Sequence, residues 1–332
     1  MRLALIGAGR IGRYHAGILA DLVGGANVTV TDVDAERARS AAQEIGGRFA
    51  ATAEEAIDGV DALVIASATN AHAAHLRLGA DAGLPMFCEK PIALDLAESR
   101  AVVEYVEGKG VPVQLGFQRR FDPAYREARR LIESGEIGTV YTIRLAGHDP
   151  APPHEDYIPA SGGLLRDFSI HDFDVIRYLT GAEAEEIYAV GAVRGFEVFA
   201  KYGDVDTAVA TLRMSDGILA VLTVARHDPL GYDIRTEIMG SKDSVSVGLG
   251  PQTPLRSLEP GVPPPAGPAW ANFIKRFDQA YRDELAYFVR VVSGEVPSPC
   301  TLRDGLEALR ISEAGTISLH EHRPVRVPDV MA

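Results

Sequence analysis

The chain begins with the apolar run Met1-Arg-Leu-Ala-Leu-Ile6, which leads directly into the turn Gly7-Ala-Gly9-Arg-Ile-Gly12. In a G-x-G-x-x-G turn, the first glycine permits a tight exit from a strand, the second lets the backbone approach a pyrophosphate, and the third lets the next helix pack closely. Residues 10–23 are predicted to form that helix, whose first N–H groups favour an anion. Because glycine-rich turns are common, the motif alone leaves a dinucleotide site and an ordinary turn equally open. A dinucleotide would be contacted by Gly7, Gly9, Arg10, Ile11 and Gly12.

An acidic residue at the end of the second predicted strand favours the dinucleotide. Asp32 follows Asn27-Val-Thr-Val-Thr31 and lies 20 residues after Gly12, where a Rossmann unit places the carboxylate that binds the adenosine ribose hydroxyls. Such a carboxylate repels a 2′-phosphate, so we predict NAD in preference to NADP, although Arg10 and Arg37 are near enough in sequence to soften the repulsion. The alternative role for Asp32 is an N-cap of the next helix.

Length and composition restrict the class of protein. The chain has 332 residues, which suits two domains, and its formal charge is −13, from 33 basic and 46 acidic residues. This balance argues against nucleic acid as a partner, because phosphate binding needs a concentrated positive field. Two cysteines, Cys88 and Cys300, cannot form a disulfide framework or a cysteine-rich zinc site, so we expect a cytoplasmic protein without a metal. No apolar segment reaches the ~20 residues of a membrane span.

The third buried strand ends in polar residues. Asp61-Ala-Leu-Val-Ile-Ala66 is a nearly continuous apolar run, as expected of a strand covered on both faces of a parallel sheet. Ligands of such sheets bind beyond the carboxyl ends of the strands, so we expect Thr69, Asn70 or His72 to contact the cofactor. The alternative is that Asn70 caps the following helix and that His72 lies on the surface.

The next strand, Leu84-Pro-Met-Phe-Cys88, ends in Glu89-Lys90-Pro91. A lysine in this position could polarise a carbonyl or share a proton with a hydroxyl, and the proline behind it stiffens its backbone. A lysine in a loop is more commonly just solvated. The spacing by itself therefore leaves the role of Lys90 open.

The pattern changes from alternating strands and helices to a series of strands from residue 137 onward, which marks a second domain. Its proline-rich loop at 148–157 is either a lid or an inert surface loop. Asp167 and His171 lie four residues apart. On one continuous helix they would share a face, where the carboxylate could orient the imidazole as a general base. The alternative is a helix start in which Asp167 and Asp172 stabilise the positive end.

The remainder of the second domain is predicted to be an antiparallel sheet. Its outward positions include Val209 and Leu219, which are uncharged, so one face of the sheet is free to bind a partner subunit. The amphipathic segment 270–293 is interpreted as a core helix. The predicted strands after the loop cover residues 185–194, 205–214, 218–227, 233–240 and 243–248.

Four stretches of this sequence together resemble the glucose–fructose oxidoreductase/inositol dehydrogenase/rhizopine-catabolism (Gfo/Idh/MocA) family. The stretches are Gly7–Gly12, Glu89–Pro91, Gly116–Asp122 and Gly162–Asp174. The similarity extends along the whole chain and is greatest to bacterial inositol 2-dehydrogenases. It implies an α/β protein with a doubly wound Rossmann domain over residues 1–120, which helix 301–321 packs back on, and an α/β domain over 121–300 with a large open sheet that forms dimers or tetramers.

The resemblance also implies roles for single residues. Lys90 matches a lysine that contacts the reacting hydroxyl, and Glu89 lies with it beside the cofactor. His171, with Asp167, matches the pair in which histidine takes the hydroxyl proton while hydride leaves the same carbon for nicotinamide C4. The remaining positions that match substrate ligands are Arg120, Asp149 and Tyr232.

The sequence therefore predicts an NAD-dependent dehydrogenase that oxidises a secondary hydroxyl of a cyclic polyol, with myo-inositol and its 2-ketone as the leading pair. A related sugar, amino-sugar or scyllo-inositol dehydrogenase is the alternative, because Leu230 stands where some inositol enzymes carry a tyrosine. A non-catalytic NAD-binding sensor is a hypothesis from a different functional class. The presence of both Lys90 and His171 argues against it.

Overall fold

The apolar runs at the start of the chain form one parallel sheet in the computed structural model, which describes residues 1–330. The sheet has the order β3-β2-β1-β4-β5-β6. β1 therefore lies between β2 and β4, where the direction of strand succession reverses, as in a doubly wound Rossmann sheet. The predicted fold class of the first domain is thus confirmed. The strands are β1 (Leu3–Ile6), β2 (Val28–Thr31), β3 (Arg48–Phe49), β4 (Ala62–Ile65), β5 (Met86–Glu89) and β6 (Val113–Gly116).

Helices connect these strands, and their starts follow from local capping. Asp34, Thr52 and Asp95 each accept a backbone N–H of the following helix, and a left-handed Gly110 ends the last one. The predicted helix 10–23 has the bounds that the structure shows. The helices are α1 (Arg10–Val23), α2 (Ala35–Glu44), α3 (Ala53–Ala56), α4 (Thr69–Asp81) and α5 (Leu96–Lys109).

A second sheet of seven strands has the order β12-β11-β7-β10-β9-β8-β13. Every neighbouring pair is antiparallel except β7 and β10, which run parallel. The prediction of an open, mostly antiparallel sheet is confirmed. Its strands are β7 (Val140–His148), β8 (Ala184–Ala192), β9 (Thr207–Met214), β10 (Leu219–Ala225), β11 (Asp233–Gly240), β12 (Ser244–Val247) and β13 (Val325–Arg326).

After residue 118, one segment predicted as a single helix differs in the structure. The amphipathic segment 270–293 forms two helices, because Phe277 leaves the helical conformation with φ −115° and ψ 22°. None of the helices in residues 1–330 is both long and apolar enough to cross a membrane. The remaining helices are α6 (Pro123–Glu133), α7 (Ile158–Ser161), α8 (Leu164–Asp167), α9 (Ile170–Thr180), α10 (Val198–Lys201), α11 (Phe273–Arg276), α12 (Asp278–Val292) and α13 (Leu302–Glu321).

The described residues divide into a first unit, residues 1–118 and 279–307, and a second unit, residues 119–278 and 308–330. These bounds differ from the expected domains, because α12 joins the first unit. The Gln114 side chain of β6 donates to the Glu284 carbonyl of α12 at 2.9 Å. Leu115 N of β6 donates to the carbonyl of Cys300, just before α13, also at 2.9 Å. An amphipathic pattern shows that a helix is half buried but not against which sheet it packs.

Helix α13 also differs from the expectation, since only its first residues, up to Glu307, belong to the first unit. From Ala308 onward the helix belongs to the second unit, where Ser318 Oγ accepts a hydrogen bond from Ala189 N of β8 at 2.9 Å. Gly315 also packs against Ile187 of the same strand.

The glycine turn provides a test of the packing. A Cβ on Gly12 would lie 2.0 Å from the carbonyl oxygen of Gly7, whereas a Cβ on Gly17, in the same helix, would meet nothing within 4 Å. We predict that Gly12→Ala lowers the free energy of unfolding by at least ~2 kcal/mol, as overpacking does. Gly17→Ala should raise it by roughly 0.5–1 kcal/mol. Urea unfolding followed by circular dichroism measures both, and equal effects would contradict this account.

Candidate active site

The glycine turn forms a cradle at the carboxyl end of β1. Gly7 has φ 104°, and a Cβ there would lie 2.4 Å from the Ala66 carbonyl oxygen. A Cβ on Gly9 would meet nothing within 4 Å, so the backbone of Gly9 faces open space. Gly9 is also the N-cap of α1 and makes no side-chain cap. An open backbone at an uncapped helix start fits a pyrophosphate.

Asp32 lies beside this cradle with its side chain 6 % exposed. Its Oδ2 accepts Ala8 N at 2.6 Å, and its Oδ1 accepts Asp34 N at 2.9 Å and Arg37 Nη2 at 2.6 Å. Burial opposes ionisation, but the hydrogen bonds from Arg37, Ala8 and Asp34 outweigh it and hold the pKa of Asp32 below its ordinary value. The cap of α2 is Asp34. The capping alternative for Asp32 is therefore wrong, and the carboxylate is ionised at the edge of the cradle.

Three polar residues that follow β4 are expected near the cofactor, and the structure places them in or beside the start of α4. Thr69 and Asn70 form the first turn of α4, whose N-cap is Ala68, so Asn70 is not the cap. His72 is only 1 % exposed, which contradicts the surface alternative. Its Nδ1 lies 2.7 Å from the Pro91 carbonyl oxygen and its Nε2 lies 3.0 Å from that of Ser67. His72 thus joins the loops that follow β4 and β5.

Glu89 and Lys90 lie at the carboxyl end of β5. Glu89 is the last residue of the strand, and its Oε1 lies 2.6 Å from Nε2 of His15, a fully buried residue of α1. This contact fixes the strand end against the helix that begins at the glycine turn. Lys90, which is half buried, follows at once and precedes Pro91 through a cis peptide bond. The first unit therefore places the cradle, Asp32 and Lys90 at one edge of its sheet.

The segment carrying Asp167 and His171 is not one continuous helix, so the condition under which they would share a helix face is not met. Asp167 ends α8 and His171 lies in the first turn of α9. The helical hydrogen bonding is irregular between them, since Ser169 N bonds back to the Leu164 carbonyl. Asp172 lies in the first turn of α9, as the alternative has it, and is buried in a pair with Arg119.

Asp167 and Asp149 are brought together by an arginine that the sequence analysis missed. Arg226 is 3 % exposed, and its Nη1 lies 2.9 Å from Asp167 Oδ2 and 3.5 Å from Asp149 Oδ2. The other oxygen of Asp167 accepts the hydroxyl of Tyr157 at 2.8 Å. Arg226 continues the buried phase of β10 after Ala220, Leu222 and Val224. A charged residue in an apolar strand phase is the signal that could have identified it.

Tyr232 and Arg120 have distinct surroundings in the second unit. Tyr232 is 5 % exposed, and burial raises the pKa of its phenol, which the charge of Arg119 opposes. The phenol therefore stays protonated at neutral pH and can donate a hydrogen bond. Arg120 is also buried, but its Nε and Nη2 donate to Asp174 at 2.9 and 2.6 Å. Two of its donors are thus directed at α9.

The loop at 148–157 is fixed at both ends. Asp149 N donates to the Ala225 carbonyl at 3.0 Å, and Glu155 Oε1 accepts Lys201 Nζ at 2.6 Å. At its start, His148 Nδ1 lies 3.3 Å from a carboxylate oxygen of Asp233. Asp233 also pairs with Arg235 through both oxygens, so protein groups already balance its charge.

Arg226 provides a test of this arrangement. Arg226→Ala leaves two half-buried carboxylates without their common cation, so we predict that the free energy of unfolding falls by about 2–4 kcal/mol at pH 7. The matched control is Arg213→Ala, which breaks an exposed pair with Glu185 and should cost under ~1 kcal/mol. Equal losses for the two variants would contradict the charge-balancing role.

Comparison with known proteins agrees with this geometry. Residues 1–117 match the oxidoreductase family with an NAD-binding Rossmann fold, and residues 125–246 match the GFO/IDH/MocA C-terminal domain. The chain is 36 % identical to a myo-inositol 2-dehydrogenase of Thermotoga maritima, with 100 % of both chains covered. It is 35 % identical to a scyllo-inositol 2-dehydrogenase (NAD(+)) of Bacillus subtilis, over 98 % of this chain and 96 % of the relative.

A solved structure extends the similarity to three dimensions. Scyllo-inositol dehydrogenase from Lactobacillus casei, with bound NAD(H) and scyllo-inositol, has a TM-score of 0.87 and 28 % identity, over 99 % of each chain. Both domain matches and the full-length relatives lead to one assignment. The chain belongs to the Gfo/Idh/MocA family of oxidoreductases, and its first unit is an NAD-binding Rossmann fold.

Proposed function

We propose that this protein is an NAD-dependent dehydrogenase that oxidises a secondary hydroxyl of a cyclic polyol, with myo-inositol to 2-keto-myo-inositol as the leading reaction. The observation that carries the proposal is the position of Lys90, at the sheet edge that also holds the glycine cradle and Asp32. A pure binding module has no need of a lysine beside a dinucleotide cradle. The relatives named for myo-inositol and scyllo-inositol support the class of substrate.

The first unit supplies the cofactor contacts in this proposal. NAD, when bound, accepts a hydride at nicotinamide C4. The cradle of Gly7, Gly9 and Gly12, with Arg10 and Ile11 at the start of α1, would hold the pyrophosphate. Asp32 would accept the ribose hydroxyls. The polar residues assigned to the remainder of the dinucleotide are Thr69, Asn70, His72, Glu89 and Lys90.

The acid–base set consists of Lys90, Asp167 and His171. An alcohol that loses hydride must also lose its hydroxyl proton, and an imidazole has a pKa near neutrality, which suits a base. We assign His171 as the base and Asp167 as its orienting partner, because Arg226 and Tyr157 already donate to the two oxygens of Asp167. The ammonium group of Lys90 would stabilise negative charge on the reacting oxygen.

Three further residues are assigned to the substrate hydroxyls. Asp149 offers a carboxylate acceptor beside Arg226, and Tyr232 offers a protonated phenol as a donor. Arg120 enters the proposal through the family resemblance, although Asp174 engages two of its donors. Neighbouring hydroxyls of a cyclic polyol can both donate and accept, so acceptor and donor groups together suit such a substrate.

A related scyllo-inositol, sugar or amino-sugar dehydrogenase is the second candidate. The relatives named for myo-inositol and scyllo-inositol are 36 % and 35 % identical to this chain, so identity alone does not separate the two stereoisomers. Leu230 is half exposed near the start of β11. An aliphatic side chain there cannot form a hydrogen bond with a substrate hydroxyl. The substrate would then have one hydrogen bond fewer than in enzymes that carry a tyrosine at this position.

The reaction is tested by incubating the protein with NAD and a panel of cyclitols and pyranoses, followed at 340 nm. We expect turnover with myo-inositol, and a ~10²-fold or larger drop in kcat for Lys90→Ala and for His171→Ala, with NADH binding unchanged in His171→Ala. Lys109→Ala and His320→Ala replace an exposed lysine and an exposed histidine outside the proposed set and should leave kcat unaltered. NADH binding without turnover on any polyol would instead support the sensor.

We also propose that the protein is a cytoplasmic homo-oligomer, a dimer or tetramer, that associates through the open sheet. The outward side chains of this face include large apolar groups that are 38 to 51 % exposed, which is unfavourable unless a partner covers them. They are Tyr188, Val190, Val209 and Leu219.

The oligomer is tested by light scattering after size-exclusion chromatography. We expect a mass at least twice 35.5 kDa for the wild-type protein and a smaller mass for Leu219→Asp combined with Val209→Asp, because charges on this face must be desolvated on association. Val33→Asp, at an exposed site outside the sheet, is the control. A monomeric wild-type protein would contradict the proposal.

A further inference from the structure

One buried histidine of the first unit contacts the segment that carries Lys90. His72, in the first turn of α4, is 1 % exposed, and its Nδ1 lies 2.7 Å from the Pro91 carbonyl oxygen. Its Nε2 lies 3.0 Å from the carbonyl oxygen of Ser67. Both polar atoms of the ring therefore face main-chain oxygens, so His72 would serve the cofactor site through the loops that it contacts.

The contact with Pro91 is the one in which the ring donates a hydrogen bond. Burial, together with the charge of Lys90, lowers the pKa of His72, although the two carbonyls and Glu89 oppose this shift. The ring is therefore neutral at pH 7 and carries a single N–H. Because the contact with Pro91 is shorter than that with Ser67, we assign this N–H to Nδ1.

Lys90 thus lies between two anchored residues. On its amino-terminal side, a carboxylate oxygen of Glu89 lies 2.6 Å from Nε2 of the fully buried His15. On its carboxyl-terminal side, Pro91 has no N–H, so its carbonyl is the main-chain group through which a hydrogen bond can hold it. His72 contacts that carbonyl from α4. The main chain of Lys90 is therefore held on both sides.

We propose that His72 is a positioning residue for the reaction: the hydrogen bond from its Nδ1 to the Pro91 carbonyl holds the Lys90 ammonium in place against the reacting hydroxyl. The inference rests on the proposed function, because it takes the role of Lys90 from there. A displacement of ~1 Å in a reacting group can cost ~10²-fold in rate. One buried hydrogen bond that fixes the lysine's backbone is therefore enough to affect kcat.

Two amide variants separate the two nitrogens of the ring. In His72→Asn the amide nitrogen takes the place of Nδ1 and can still donate to Pro91. In His72→Gln it takes the place of Nε2 and can donate to Ser67 instead. We expect kcat for polyol oxidation to fall ~10-fold or more in His72→Gln, and at least ~5-fold less in His72→Asn. Equal losses in the two variants would overturn the proposal.

A double-mutant cycle separates positioning from a general loss of structure. If His72 acts through Lys90, His72→Gln should change kcat less than ~2-fold in the Lys90→Ala background, because the group that it positions is absent. A further loss of ~10-fold in that background would contradict the proposal. The matched control is His75→Ala, one turn further along α4, where Nδ1 lies 3.1 Å from the Ser67 hydroxyl. This variant should leave kcat unaltered.

Hydrogen exchange followed by mass spectrometry provides a readout that needs no turnover. Amide exchange in the peptide covering residues 89–95 should be ~10-fold faster in His72→Gln than in His72→Asn, because only the latter keeps the bond to Pro91. Equal exchange in the two variants would overturn the positioning role. If thermal unfolding shows that His72→Gln has lost its fold, His72→Leu, which fills the site without a donor, takes its place.

The exchange measurement also distinguishes this inference from the proposed reaction. A wild-type protein that oxidises no polyol would contradict the reaction. If its His72 variants still differ in exchange as described, the anchoring of the Lys90 segment by His72 remains intact.

Discussion

The first unit depends on the close approach of three backbone segments around the glycine turn. A side chain on Gly7 would collide with the carbonyl of Ala66, and one on Gly12 with the carbonyl of Gly7 itself. This contact brings the end of β1, the start of α1 and the end of β4 together, which is where the strand order reverses. A sheet edge assembled in this way leaves the backbone of Gly9 facing open space, and the cofactor site follows from that packing.

Each unit contains a carboxylate whose charge is balanced by an arginine. Asp32 is held as an anion by backbone N–H groups and by Arg37, so it is available to accept hydroxyls but unsuited to a phosphate. In the second unit, Arg226 balances Asp167 and Asp149. Removing water from two nearby carboxylates is costly unless a cation or hydrogen-bond donors replace it. The buried arginine therefore allows two acidic groups to lie close together in a region suited to recognising hydroxyls.

The hydrogen bonds that Asp167 accepts also bear on the different roles proposed for Asp167 and His171. A carboxylate that accepts hydrogen bonds from an arginine and a tyrosine is a weak proton acceptor, because those donors favour its charged form. An imidazole, whose ordinary pKa is near neutrality, is the better base in the proposed pair. The division of labour that the family resemblance implies for Asp167 and His171 thus has a physical basis in the contacts of Asp167 alone.

The sequence by itself determined the doubly wound Rossmann fold, the bounds of α1 and the open sheet, because glycine spacing, apolar runs and strand alternation are local patterns. Only the tertiary structure decided that α12 packs on β6, that a break separates Asp167 from His171, and that Arg226 joins two acids. Those features depend on contacts between residues far apart in the chain. A periodic pattern shows which face is buried, but the partner of that face is set by the packing of the whole unit.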